Sequence, residues 1–143
     1  MFKQIKYFFC TCVILFSGCS SYAKDIIPYL IDASVNMDAS SDYEIAGLDF
    51  SFFNRSEKTV SEFTLVFYLF DEDGEPASLC RSNIVLSVSC EIPPGERLEK
   101  LLSLDTFFSA VPEQEYFTDY VYVSRIKYED GSTWKDPFGL SLY

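Results

Sequence analysis

Apolar residues recur along this chain at a spacing of two, the period of strands, and no segment sustains a 3.6-residue repeat. From Ile45 to Phe53 the alternation puts Leu48, Phe50 and Phe52 on one face. Val60 to Phe70 repeats it, with Phe63, Leu65, Phe67 and Leu69 on one side. Val66, Tyr68 and Phe70 make the other side of that segment apolar too, as expected of a central or partly covered strand. Asn83 to Ile92 is the cleanest alternation, with Ile84, Leu86, Val88, Cys90 and Ile92 sharing a face. Phe117 to Tyr128 is a long β-rich run, and Ile26 to Ile31 is a candidate first strand. Leu98 to Phe108 fits either a short helix or an irregular strand.

Turn residues sit between these segments. Asn54 to Lys58 is a polar turn, and Asp73-Gly74, inside the loop Asp71 to Pro76, is the strongest hairpin signal. Pro93-Pro94-Gly95 and Pro112 end two further segments, and Asp130-Gly131 makes a turn before Trp134. Six or seven strands at such spacings predict an all-β antiparallel sandwich. The chain has no internal repeat.

The N-terminus changes the picture. Lys3 and Lys6 precede an apolar run from Tyr7 to Phe16, which falls short of the roughly 20 residues of a spanning helix. It has the form of an export signal. Ser17-Gly18-Cys19 resembles the bacterial lipoprotein box, with Phe16 where Leu is usual; Cys19 would then carry the lipid. Ser21-Tyr22-Ala23 is a rival site that would release the chain from Lys24. The lipid reading is preferred because Cys19 follows the apolar run directly. The expected organisation is a signal peptide over 1–18 (or 1–23), a tether with the candidate first strand over 19–43, and the sandwich over 44–143. The expected place is the bacterial cell envelope, outside the cytoplasm, anchored through lipid; the rival cleavage makes the protein secreted or periplasmic.

Composition supports one ordered domain: 143 residues, 48% hydrophobic and 17% aromatic. The formal charge is −11, and cleavage before Cys19 removes Lys3 and Lys6 to leave −13. Such a surface repels phosphate backbones, so nucleic acid is not an expected partner, and a protein partner should present basic groups. With no histidine, serine–histidine and cysteine–histidine catalysis and imidazole metal sites are excluded. Cys10 and Cys12 lie in the leader, which leaves Cys80 and Cys90 as an even pair in an oxidising compartment. One disulfide is expected between them.

Phe67-Tyr68-Leu69-Phe70-Asp71 resembles the F-x-L-Y-D signature of the FxLYD domain, with Phe70 in place of Tyr. The polar turn before it, and the acidic Gly turn and Pro-Gly after it, fit the same pattern over about residues 45 to 130. The resemblance implies an immunoglobulin-like sandwich in an exported bacterial protein, and it brings no established catalytic residues. Tyr128-Glu129-Asp130-Gly131 with Trp134 is similar to the closing hairpin of small bacterial envelope domains.

Other residues offer candidate chemistry. Asp71, Asp73 and Glu75 offer carboxylates to a cation, but Gly74 falls at the fourth position where a calcium hand needs it at the sixth. A solvated hairpin tip is the plainer reading. No carboxylate pair stands out for glycoside hydrolysis, no serine has an evident base, and Lys58 and Lys100 read as surface charges. Asn54-Arg55-Ser56 matches the glycosylation triplet but reads as a turn before a strand. Tyr120, Tyr122, Tyr128 and Trp134 form a candidate binding stripe, against the more usual reading that they fill a core or cover an edge. No cofactor fingerprint is present. The expectation is a non-catalytic envelope lipoprotein that binds a protein or polymer; the alternative is a small secreted ligand- or cation-binding protein.

Overall fold

The computed structural model describes residues 27–38 and 40–142. The leader, Cys19 and the start of the tether lie outside the described residues. Seven strands follow in order: β1 Tyr29–Asn36, β2 Gly47–Asn54, β3 Val60–Phe70, β4 Asn83–Ile92, β5 Arg97–Ser103, β6 Phe117–Tyr128 and β7 Thr133–Lys135. They form two antiparallel sheets, β1-β2-β5 and β4-β3-β6-β7. The chain changes sheet after β2, β4 and β5, which makes an immunoglobulin-like sandwich of three strands on four.

The inward faces follow the alternation in the sequence. Leu48, Phe50 and Phe52 of β2 meet Phe63, Leu65, Phe67 and Leu69 of β3, all buried. Phe52 stacks on Phe63 with ring centroids 4.3 Å apart, and Phe50 meets Phe63 edge-on at 5.9 Å. From β4 come Ile84, Val88 and Ile92, with Leu86 and Cys90 half-buried on the same row. The first strand runs to Asn36, further than the Ile26 to Ile31 segment anticipated, because Ile31, Ala33 and Val35 keep alternating inward opposite β2. Leu98 to Phe108 divides between the two forms expected of it: β5, then a short 3₁₀ turn at Asp105–Phe107.

Asn54 is the hub where the polar turn meets the sandwich. Its buried side-chain amide donates to the Lys58 carbonyl at 2.8 Å and the Ile92 carbonyl at 2.9 Å. Its side-chain oxygen accepts from the Ser56 amide at 3.0 Å and the Ser56 hydroxyl at 2.7 Å. The triplet is therefore a turn, and both amide hydrogens of Asn54 are engaged. Asp105 makes a second clamp, accepting from the amides of Glu44 (2.8 Å), Ile45 (2.7 Å) and Ala46 (3.1 Å). These amides, the Glu44 one foremost, hold its carboxyl down at about 2.

Cys80 and Cys90 are free thiols, which corrects the expected disulfide. Cys90 lies deep in β4, whereas Cys80 precedes that strand and bridges to Phe108. The extended chain from Asn83 to Cys90 alone spans about 23 Å, and a disulfide needs Cα atoms within about 7 Å. An even count of cysteines predicts pairing only where the chain can turn back between them. Burial pushes both thiols up, Cys90 to about 11 with Glu62 adding to the effect, so neither is a ready nucleophile.

Candidate functional site

β6 departs from a regular strand at two places, and these decide what each face of the four-stranded sheet presents. Thr64 pairs with Arg125 while its neighbour Leu65 pairs with Val123, so Ser124 is an extra residue. Further on, Val66 pairs with Tyr122 and Tyr68 with Asp119, which puts another extra residue at Tyr120–Val121. Tyr120 sits there at φ +51°, a left-handed conformation costly for a bulky side chain. The bulge at Ser124 leaves the Val123 amide facing the core, where the Tyr29 hydroxyl accepts from it at 3.0 Å across the sandwich.

The Ser124 bulge also reverses the side to which even-numbered residues point. Tyr120 and Tyr122 face outward; Ile126 and Tyr128 face the core. Trp134, opposite Ile126, faces inward as well and meets Tyr29 edge-on at 5.6 Å. The four-residue stripe is thus divided: Tyr120 and Tyr122 lie on the outer surface, and Tyr128 and Trp134 pack inside. Tyr128 and Trp134 thus pack as the more usual reading of such a stripe has it, and only Tyr120 and Tyr122 are left for a contact surface.

The outer residues of β3 complete the surface. Tyr68 meets Tyr120 edge-on at 6.0 Å, and Phe70 meets it at 6.1 Å with rings tilted by 58°. The Asn83 side-chain amide donates to the Tyr68 hydroxyl at 3.1 Å. Phe117 stands opposite Phe70, and Val85 stands opposite Val66, each about half exposed. Tyr120 itself is 54% exposed. A shallow groove of about 470 Å³ crosses all four strands between Val66, Val85, Tyr122 and Pro137, with Arg125 and Lys135 at one end.

The C-terminal segment fixes the floor of this groove. The Tyr122 hydroxyl donates to the Pro137 carbonyl at 3.3 Å, and Gly139 lies against its ring. A Cβ at position 139 would come within 2.9 Å of that ring, and Gly139 also holds φ +66°, so glycine is required twice over. Asp136 clamps the segment by accepting from the Leu140 amide at 3.0 Å and the Ser141 amide at 2.8 Å. Burial pushes its carboxyl up, but those amides outweigh it and hold the group below its ordinary value. Phe138 and Leu140 extend the exposed apolar area at this end.

The motif residues Phe67, Leu69, Phe70 and Asp71 take three different positions. Phe67 and Leu69 are in the core, and Phe70 is on the outer face. Asp71 closes the acidic loop, accepting from the Asp73 amide at 3.0 Å, the Glu75 amide at 2.9 Å and Gln114 at 3.1 Å. Its carboxylate is thereby engaged within the loop, and Glu72 to Glu75 are exposed around it. Lys58 pairs with Asp130 at 2.7 Å and lies 5.6 Å above the Tyr128 ring; Asp130 is held down at about 2, chiefly by that lysine. Among the described residues no group of three or more Cys, Asp or Glu side chains is placed to hold a metal ion. Sequence reasoning passed over Tyr68, Phe70 and Val85 as surface residues. The available signal was the second apolar face of β3, taken as a mark of central position.

No protein-family model and no curated protein matches the chain. Among solved structures, a hypothetical protein from Peptoclostridium difficile 630 is similar, with a TM-score of 0.55 and 14% identity. The match covers 78% of this chain and 88% of that one. At this identity the likeness is one of fold.

Proposed function

We propose that this chain is a non-catalytic immunoglobulin-like module held at the bacterial cell envelope, where it binds another envelope protein through the outer face of β4-β3-β6-β7. The observation that carries this reading is the outer cluster of Tyr68, Phe70, Phe117 and Tyr120, on a sheet whose inner face is packed without it. Phe117 and Tyr120 are about half exposed, and Tyr68 and Phe70 are half-buried beneath them. Contiguous exposed aromatics are characteristic of contact surfaces, and tyrosine offers large rigid area with a polar tip. Arg125 and Lys135 put basic groups at one end of the groove, a local site for an acidic group of a partner whose other contacts answer the net negative charge of the chain. The Lys3–Cys19 leader and the likeness of Phe67–Asp71 to the FxLYD signature support the envelope setting. An anchor at Cys19 would hold Tyr29 within about 35 Å of the membrane even with the tether fully extended.

The test places a photo-crosslinking residue at position 120 in intact cells, and at position 49 on the opposite face as control. A crosslinked protein captured from 120 and absent from 49 is expected. Labelling with a fatty acid should tag the wild type and not Cys19→Ala. Equal capture from both faces, or capture of glycan alone, overturns the contact reading.

A further inference from the structure

Three of the four sheet edges discourage pairing, and the fourth does not. β7 is three residues long and runs into Asp136-Pro137. β5 carries Arg97, Glu99 and Lys100. β1 carries Asp32, and the Thr118 hydroxyl reaches from β6 to the Ala33 carbonyl at 2.9 Å. Shortness, charge and cover are the usual protections of an edge. β4 has ten residues, one charge at Glu91, and neither proline nor lysine. Among the described residues no strand pairs with its outer edge.

The direction of its backbone groups follows from the ladder. The Leu69 amide donates to the Ser82 carbonyl at 2.8 Å, and the register continues as Phe67 with Ile84, Leu65 with Leu86, and Phe63 with Val88. In an antiparallel ladder these alternate pairs exchange both hydrogen bonds, so the amides and carbonyls of Asn83, Val85, Ser87 and Ser89 point away from β3. On the inner row Leu86 and Cys90 are only half-buried, where Ile84, Val88 and Ile92 are buried. The edge thus presents both unpaired backbone and an open flank of core.

The geometry points to β4 as a self-pairing edge, at which two copies of this chain join antiparallel about a two-fold axis at Ser87. In this register Val85 faces Ser89, Leu86 faces Val88, Ile84 faces Cys90 and Asn83 faces Glu91. Inward residues meet inward residues, and no like charges stand opposite each other. A second copy is the matched occupant because it has the same length, alternation and lack of charge. In a chain of net charge −11, an edge with a single carboxylate adds little repulsion of its own between two copies. Val85 belongs to both the edge and the groove, so pairing would set the two aromatic faces side by side. The inference is independent of the proposed envelope partner.

The test sediments the whole chain, purified as its host exports it, at micromolar concentration. A dimer is expected, and it should tighten as salt rises, because screening relieves repulsion between two acidic bodies. Ser87→Pro removes an outward N–H and no backbone bond to β3, only the long 3.5 Å contact of its hydroxyl with Thr64, so circular dichroism should be kept while the dimer dissociation constant rises roughly tenfold or more. Should that variant fail to fold, Ser87→Cys serves instead. The two-fold axis sets its Cα atoms about 5.5 Å apart, within disulfide reach, and mild oxidation should give a covalent dimer. Ser34→Cys, on the opposite sheet, should give none. A chain that stays monomeric, or associates only with a different protein, overturns the inference. So does a dimer that Ser87→Pro leaves unchanged and Ser87→Cys fails to link.

Discussion

The two outer faces of this sandwich are built on the same alternation and differ in their aromatic content. On β1-β2-β5 the outward row brings together Asp32, Ser51 and Glu99, with Ser34 and Asp49 beside them. Leu30 and Leu101 are the exposed apolar residues of that face, Tyr43 packs at its Gly47 end, and Phe53 lies under the Arg97 guanidinium at 5.6 Å. On β4-β3-β6-β7 the same outward positions hold Val66, Tyr68, Phe70, Val85, Tyr120 and Tyr122. Folding needs only the inward rows, and both sheets supply them. The difference between the outer faces is the basis of the proposed contact, and how far the outer aromatics also serve stability is open to measurement.

The comparison breaks first if the outer aromatics are themselves core. Phe67 and Tyr68 are neighbours on β3 and point to opposite sides; Phe67 is fully buried. Phe67→Ala should cost about 3 to 5 kcal/mol, a large part of the 5 to 15 of an ordinary domain. Tyr68→Ala should cost well under half of that. Urea unfolding of the two variants measures both, and equal losses would make the aromatic face a structural layer.

Much of this was readable beforehand. Period-two runs located β2, β3 and β4, and Asp73-Gly74, Pro94-Gly95 and Asp130-Gly131 each hold a glycine at positive φ in a turn. What escaped was everything set by tertiary pairing. The Ser124 bulge is invisible in hydropathy, yet it decides that Tyr120 and Tyr122 face outward while Tyr128 faces the core, a division the sequence could not make. Cys80 and Cys90 looked like a pair because spacing in sequence says nothing of an extended strand between them. Asp105, one acid among 22, became a clamp only when the fold brought the amides of Glu44 to Ala46 to it.

That clamp gives the second prediction, which separates the sheets by pH. The Asp105 carboxyl lies at about 2 when folded against an ordinary 3.8, so its stabilising contribution is complete above pH 3.8. It declines as pH falls below that value and is gone once the folded group protonates near 2. Hydrogen exchange at pH 3 should show the amides of Glu44, Ile45 and Ala46 losing protection before those of β3 and β6. Asp105→Asn should lower the thermal midpoint at pH 7 and flatten the acid side of its pH profile. An unchanged profile would show that the three-stranded sheet does not depend on this carboxylate.

The smallest expected effect on stability is the sharpest on contact. Asp49 and Tyr120 stand on opposite outer faces, both exposed, and Tyr120 is held at a positive φ that a smaller residue tolerates no worse. Asp49→Ala should shift unfolding by no more than about 0.5 kcal/mol, the range of surface substitutions, and Tyr120→Ala by about 1 kcal/mol for its two ring contacts. Ala keeps the Cβ and with it the strain of the positive φ, so the change at position 120 is the loss of the ring contacts with Tyr68 and Phe70. If the aromatic face is the contact surface, Tyr120→Ala should weaken capture of the envelope partner by roughly tenfold or more, as truncating a tyrosine anchor does, while Asp49→Ala leaves it unchanged. Co-purification from crosslinked cells measures the two side by side. Should Asp49→Ala weaken capture and Tyr120→Ala not, the acidic face is the one that binds, and the aromatic cluster has no part in recognition.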